Sequence, residues 1–315
     1  MTISVVVLSP DTELGRETIA QLVKKEYRVT GIGKDADPKT LRQQGAVFVP
    51  ADLTKAGELS KAIEVAKPDV VLNLTPQIAN TLLHDGHNWK GYDEILPATT
   101  TAILEALADT EVLLVHASYT FLYNDAQDAT EDNSLKAPEG DPIFQAAIEA
   151  EEQIANSSIP HCTLRFGFLY GPQSQDLKKY ETSFKLHRPY YAGPEDNLAN
   201  FVHYEDAAKA LVLVVEQQPV GETFNVVDDK PIPFANFIDT YAMKLGYSQP
   251  AHIPLFTAPV AKVIIKEPQM EILDRSTTAN SDRIKQQLNW SPSYKSYQEG
   301  LDQTISTWQQ QGNNK

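Results

Sequence analysis

The chain has 315 residues, of which 42% are apolar, and its formal net charge at pH 7 is −15. This acidic balance disfavours a nucleic-acid-binding surface, because neutralising phosphates requires clustered Lys and Arg. No apolar run approaches the ~20 residues of a membrane-spanning helix, and the single cysteine, Cys162, excludes an internal disulfide and fits a reducing compartment. We therefore expect a cytoplasmic protein that binds neither nucleic acid nor membrane.

Short apolar segments alternate with helix-like segments over the first 170 residues. Strands are predicted at 3–9, 28–33, 46–50, 69–75, 112–118 and 161–168, and helices at 13–25, 55–66, 97–108 and 141–156. Strands that alternate with helices form right-handed crossovers and a parallel sheet with helices on both faces. The sequence therefore predicts an α/β fold, with a Rossmann-like doubly wound parallel sheet over residues 1–170.

The alternation loosens after residue 170. Helices are predicted at 206–216, 234–245 and 278–288, and a strand at 222–227, whereas residues 173–200 show no clear period. This half has too few predicted strands for a large sheet of its own. We expect residues 171–315 to form a smaller substrate-binding lobe that packs on the first domain and exchanges a strand with it.

Seven segments resemble, in the same order, the motifs of the extended short-chain dehydrogenase/reductases, a family of sugar-nucleotide epimerases and dehydratases. One of them, F-V-H-Y-E-D-A-A-K-A at 201–210, is similar to the family's F-V-H-V-D-D-V-A-R-A. The others are A-D-L-T at 51–54, V-V-L-N-L-T at 70–75, T-E-D at 130–132, L-R-F-G-F-L-Y-G-P at 164–172, T-F-N-V at 223–226 and L-N-W-S-P at 288–292. Together they cover almost the whole chain, and the resemblance implies the fold predicted above.

The turn after the first strand departs from the family. There the family carries G-x-x-G-x-x-G, whose glycines let the backbone approach the pyrophosphate of a dinucleotide. The corresponding residues here are Ser9, Thr12 and Gly15, so only the third glycine remains. Pro10 also removes a backbone donor, and Asp11 places negative charge near the pyrophosphate. The sequence therefore predicts weak or absent NAD(P) binding through this turn.

If a dinucleotide is retained, the resemblance assigns its contacts to the first helix and the strand ends beside it. Lys34 follows the second strand, which no acid ends, and so favours the 2′-phosphate of NADP over NAD; a solvated surface lysine is the alternative interpretation. Asp52 matches the acid that meets the adenine. The full candidate set is Ser9, Asp11, Thr12, Leu14, Lys34, Asp52, Leu53, Leu74 and Thr75.

The catalytic positions depart further. The family uses a Ser or Thr after the fifth strand and a Tyr-x-x-x-Lys on the next helix, where the Tyr is the acid/base and the Lys lowers its pKa. Alignment places Tyr119 at the Ser/Thr position and, with Glu152 as an anchor, Phe144 and Ile148 at the Tyr and Lys positions. Phe has no proton to give and Ile has no charge. We therefore expect no classical dehydrogenase or epimerase turnover with sugar nucleotides.

Tyr119 is the candidate acid or base that remains, because its hydroxyl can reach the same pocket. Tyr123, His116 and His203 are further ionisable groups, although His203 matches a motif position that is usually structural. No H-x-x-x-H or C-x-x-C spacing predicts a metal site, and Cys162 is interpreted as a small core residue.

Three functions follow from these departures. We expect a small-molecule-binding, scaffold or regulatory protein that uses the cleft between the lobes and has lost redox catalysis. The alternatives are a redox-neutral enzyme, such as a cyclase, isomerase or lyase with Tyr119 as acid/base, and an NADP-dependent oxidoreductase with a displaced tyrosine. A homodimer or another protein partner also stays open.

Overall fold

The computed structural model describes residues 2–75, 91–253 and 272–313. The strands in chain order are β1 (Ser4–Leu8), β2 (Arg28–Gly33), β3 (Val47–Pro50), β4 (Val70–Asn73), β5 (Leu113–Tyr119), β6 (His161–Phe166), β7 (Phe168–Tyr170), β8 (Leu198–Ala199), β9 (Phe201–His203), β10 (Glu222–Val226) and β11 (Ile232–Pro233). The helices are α1 (Glu13–Lys24), α2 (Pro38–Gln43), α3 (Ala56–Ala66), α4 (Tyr92–Leu107), α5 (Pro142–Ala155), α6 (Gln175–Lys185), α7 (Tyr204–Gln217), α8 (Phe234–Lys244), α9 (Asp282–Leu288) and α10 (Tyr297–Asn313).

Seven of the strands form one sheet in the order β10-β6-β5-β4-β1-β2-β3, and every neighbouring pair is parallel. This confirms the predicted α/β fold class. The edge strand β10 comes from the second half of the chain and pairs with β6. The other described strands form two-stranded pairs, β11 with β8 and β7 with β9.

Both faces of the sheet are buried, which explains why its strands are almost continuously apolar. In β1, Val5 and Val7 contribute to the core on one face, while Val6 and Leu8 contribute to the core on the other. Because successive side chains of a strand point to opposite faces, a run of four apolar residues covers both faces of the sheet.

Several helices differ from the prediction: α2, α6 and α10 were not predicted, and α9 begins at Asp282 and not at residue 278. Helix α4 begins at Tyr92 and contains Pro97, whereas the prediction started the helix at Pro97. Helix α6 lies in the segment that showed no clear period. Its buried residues Leu177, Tyr180 and Phe184 have helical spacing, but the polar residues between them masked it.

A buried hydrogen bond joins two central strands. The Asn73 side-chain amide of β4 lies 3.0 Å from Nδ1 of His116 in β5 and donates to it. Burial lowers the pKa of His116 from its ordinary 6.5 to about 4, so its imidazole is neutral at pH 7. His116 is therefore part of the packed sheet.

This burial predicts acid sensitivity. Because the pKa of His116 is lower in the folded protein, the unfolded chain binds more protons between pH 6.5 and 4. The free energy of unfolding should therefore fall as the pH falls through that window, by about 1.4 kcal/mol per pH unit from this group. Urea unfolding at a series of pH values should give a shallower pH dependence for His116→Gln than for the wild type.

The exposed His187 provides the control for this measurement. His187→Gln should keep the pH dependence of the wild type. Equal slopes for all three proteins would contradict the interpretation of His116 as a buried, neutral group.

Candidate functional site

The turn between β1 and α1 keeps a tight conformation without two of the family's glycines. Ser9 takes the left-handed conformation, with φ of 57°, and its amide donates to the Ile32 carbonyl at 3.0 Å. Thr12 caps α1, because its Oγ1 accepts from the Gly15 amide at 2.9 Å and donates to the Ser9 carbonyl at 3.0 Å. A serine therefore adopts the backbone conformation for which glycine is usually needed.

Gly15 and Pro10 pack this turn against the sheet. A Cβ on Gly15 would lie 2.7 Å from the Ser9 carbonyl oxygen and 2.8 Å from Thr12 Oγ1, so only glycine fits. Pro10 is buried against β2, where a Cβ on Gly31 would lie 2.8 Å from the proline ring. The missing glycines are thus replaced by a differently packed turn that still brings the start of α1 close to the sheet.

The start of α1 can hold an anionic group. The first amides of a helix lack intrahelical acceptors, and Thr12 caps that of Gly15; among the described residues the amides of Glu13 and Leu14 have no side-chain cap. Arg16 adds a half-buried guanidinium beside them, and its Nη1 donates to the Asp11 carbonyl. The Asp11 side chain is exposed, so water screens its charge. These residues fit the diphosphate of a dinucleotide.

The remaining candidate contacts lie at the ends of β2, β3 and β4. The pKa of Asp52 is lowered mainly by the hydrogen bonds from Thr54, and the charge of Lys34 contributes. Lys34 itself is exposed. Lys34 and Asp52 therefore lie near each other at the carboxyl edge of the sheet. Leu53 is half-buried, whereas Leu74 and Thr75 are buried, and the Thr75 amide donates to Asn73 Oδ1 at 3.2 Å. The structure brings the whole set to the carboxyl edge of the sheet.

Tyr119 ends β5 at this same edge and is only 2% exposed. Its ring stacks on Phe121, with centroids 5.1 Å apart. Phe121 contacts Phe144 at 5.5 Å and Phe168 at 6.2 Å. The candidate acid therefore has an aromatic, largely apolar environment.

Helix α5 confirms that Phe144 and Ile148 are buried, but it changes the anchor used to align them. The anchor Glu152 is exposed, and the buried acid is its neighbour Glu151, which accepts from Ser118. Anchored on Glu151, the Tyr and Lys positions fall on Ile143 and Ala147. Both registers place apolar side chains there, so neither supplies the Tyr-x-x-x-Lys pair.

A buried network surrounds Arg165, a residue that the sequence pattern had not singled out. Arg165 pairs with Glu151 at 2.7 Å and donates to the Tyr123 hydroxyl at 2.7 Å. Tyr123 in turn donates to Asn225 Oδ1 at 2.8 Å, and the Asn225 backbone N–H donates to Glu131 Oε1 at 2.8 Å. The T-E-D, L-R-F-G and T-F-N-V segments thus meet in one network. The charged residues in these otherwise apolar motifs were the sequence feature that could have revealed it.

The other ionisable candidates have structural positions. His203 Nδ1 accepts from the Glu205 amide at the start of α7, and burial lowers the pKa of His203 to about 3. Cys162 is buried in β6, and burial raises the pKa of its thiol. Within the described part of the chain, no group of three or more His, Cys, Asp or Glu could hold a metal ion, and no helix is long and apolar enough to cross a membrane.

The parallel sheet, the capped turn after β1 and the motif network define the class of protein. It is a Rossmann-type member of the extended short-chain dehydrogenase/reductases. The family model for the NAD dependent epimerase/dehydratase family matches residues 13–226, and the chain belongs to that family.

Two relatives of this chain are named as enzymes, one as a reductase and the other as a decarboxylating dehydrogenase. The 3-diazoavenalumate denitrifying reductase of a Streptomyces species is 30% identical over 177 residues, which are 54% of this chain and 57% of the relative, so the match spans less than two thirds of that protein. The decarboxylating sterol-4-alpha-carboxylate 3-dehydrogenase of Schizosaccharomyces pombe is 26% identical over 275 residues, which are 80% of this chain and 77% of the relative.

Solved structures with low sequence identity share the fold. A dTDP-glucose 4,6-dehydratase from Bacillus anthracis in complex with NAD has a TM-score of 0.78 at 15% identity, covering 98% of this chain and 97% of that one. A UDP-glucose-4-epimerase from Stenotrophomonas maltophila with bound NAD also has a TM-score of 0.78, at 17% identity, covering 99% of this chain and 100% of that one.

The buried ion pair gives a direct test of the network. Glu151→Gln keeps the shape of the side chain but leaves the Arg165 charge buried without a counter-charge, so the free energy of unfolding should fall by about 3 kcal/mol. Glu152→Gln changes the exposed neighbour and should alter stability by less than about 0.5 kcal/mol. Equal effects of the two substitutions in urea unfolding would contradict the assignment of Glu151 as the structural acid, and a larger effect of Glu152→Gln would assign that role to Glu152.

Proposed function

We propose that this chain is an oxidoreductase that uses a nicotinamide dinucleotide to reduce a small, largely apolar organic molecule, with Tyr119 as the acid. The observation that carries the proposal is the position of Tyr119. It is buried at the end of β5, at the same sheet edge as the turn that begins α1. Parallel sheets of this type bind their ligands at that edge.

The dinucleotide is supported by the packing of the β1–α1 turn. Gly15, the capped helix start and the Arg16 guanidinium fit a diphosphate, and Lys34 favours the 2′-phosphate of NADP. Two structures of similar fold are described as complexes with NAD. A bound nicotinamide dinucleotide would supply the hydride for the reduction. Because the β1–α1 turn has lost two glycines, we expect the dissociation constant for the dinucleotide to lie above the sub-micromolar range.

Tyr119 would supply the proton. With no lysine at either register of α5, that helix carries no cation to stabilise a phenolate, which favours the hydroxyl as an acid over a base. This asymmetry favours reduction over oxidation. General acid assistance of this kind is worth about 10²–10⁴-fold in rate.

An apolar substrate is supported by the aromatic side chains that pack beside Tyr119. The cluster that begins at Tyr119 and Phe121 continues through Phe168 to Phe201 and Phe234. The names of two relatives contain a sterol carboxylate and diazoavenalumate, not a sugar nucleotide. We therefore place apolar carbon skeletons ahead of sugar nucleotides as substrates.

A second candidate function is binding without catalysis. It is favoured by the apolar residues Phe144 and Ile148, and equally by Ile143 and Ala147 in the alternative register. A redox-neutral conversion with Tyr119 as acid is a variant of the same site. Both differ from the main proposal in that no dinucleotide is consumed.

Substitution of Tyr119 separates these functions. The wild type should oxidise NADPH or NADH in the presence of aromatic or sterol-like carbonyl compounds but not sugar nucleotides. Tyr119→Phe removes the acid and should lower kcat/KM by about 10²–10⁴-fold while the substrate still binds. Tyr27→Phe, which removes a remote, half-buried phenol bonded to Glu216, should retain the wild-type rate.

Three other results would contradict the proposal in different ways. Product formation without dinucleotide consumption, lost in Tyr119→Phe, would indicate a redox-neutral enzyme. Ligand binding without any conversion would indicate a binding protein. Redox turnover that Tyr119→Phe leaves unchanged would remove Tyr119 from the chemistry.

A further inference from the structure

Tyr204, the first residue of α7, has a hydroxyl without a hydrogen-bond partner among the described residues. Its side chain is completely buried. Buried hydroxyl groups are paired in the large majority of cases, so an unpaired one calls for an explanation. Phenylalanine would fill the same space, which means that packing alone does not account for the oxygen atom.

The Tyr204 hydroxyl is close enough to the first turn of α1 for Glu13 and Arg16 to act on it electrostatically. Helix α7 packs on α1, where the Gln21 side-chain amide donates to the Glu205 carbonyl at 3.0 Å. Burial is the main cause that raises the pKa of Tyr204, and the charges of Glu13 and Asp176 raise it further, while Arg16 partly offsets them. Tyr204 is therefore a permanently protonated hydrogen-bond donor near the first turn of α1.

Two tyrosines of this chain depart from the family motifs in the same region. The family has Val at the position of Tyr204 and Ser or Thr at that of Tyr119. Tyr119 is among the groups that act electrostatically on Tyr204. Gly171 makes room for the larger ring, because a Cβ there would lie 3.3 Å from Tyr204 Cδ2. The chain thus has a buried donor beside the first turn of α1. The β1–α1 turn before it lacks one amide donor, because Pro10 has no amide hydrogen.

We propose that the Tyr204 hydroxyl donates a hydrogen bond to an anionic diphosphate oxygen of a bound nicotinamide dinucleotide. It acts together with the Arg16 guanidinium and the free amides at the start of α1. Tyr204 is thereby a cofactor-positioning residue that replaces a backbone donor of the glycine-rich turn. This inference rests on the proposed function, because it requires that a dinucleotide binds.

The test compares Tyr204→Phe with a matched control in the full-length chain. Tyr170 also has a buried hydroxyl without a described partner, but its electrostatic neighbours are Asp228, Asp206, Tyr294 and Glu299, none of them on α1. Calorimetric titration with NADPH and NADH should give a Kd at least about tenfold higher for Tyr204→Phe, or about 1.4 kcal/mol. Tyr170→Phe should bind like the wild type.

Thermal unfolding without ligand separates a positioning role from a structural one. Because each substitution removes an unpaired buried hydroxyl, both variants should have a Tm equal to or above that of the wild type. Weaker binding accompanied by a clearly lower Tm in Tyr204→Phe would assign a structural role and overturn the inference. Unchanged affinity in Tyr204→Phe would overturn it and leave the proposed function intact, whereas a wild type that binds neither dinucleotide would overturn both.

Discussion

The buried ion pair between Arg165 and Glu151 holds together the part of the molecule on which the site depends. It joins β6 to α5, and Ser118, which donates to Glu151, brings in the end of β5. Through Tyr123 the same guanidinium is connected to Asn225 at the end of the edge strand β10. The backbone position of Tyr119, the residue after Ser118, therefore follows from a charge pair whose separation would leave a buried, unpaired ion.

This arrangement explains how the family's fold persists without its catalytic pair. The Arg165 network uses Glu151 of α5, which accepts from Ser118 of β5. It does not use the residues at the Tyr and Lys positions of α5. Apolar side chains can therefore stand at the Tyr and Lys positions in either register without disturbing the structure, and Phe144 packs with Phe121. In the proposed function the acid is the Tyr119 phenol at the end of β5, in place of the family's lysine-assisted phenol on the helix.

The sequence predicted the central strands well, because buried parallel strands are apolar and the segments between them have helical period. It could not predict that Ser9 takes a left-handed conformation, since serine seldom does. The alignment of α5 depended on which of the adjacent acids Glu151 and Glu152 was used as the anchor. The sequence does not distinguish them, because they differ in burial. Tyr204 was missed because its neighbours on α1 are remote in sequence.

The most direct test of the central claim, that the β1–α1 turn still holds a dinucleotide, is calorimetric titration of the wild type and two glycine variants with NADPH and NADH. The account predicts saturable binding by the wild type and much weaker binding by Gly15→Ala, whose added Cβ would meet the Ser9 carbonyl at 2.7 Å. Gly57→Ala, where a Cβ meets nothing within 4 Å, should bind like the wild type. Absence of binding by the wild type at millimolar dinucleotide, or equal affinities for all three proteins, would contradict the account.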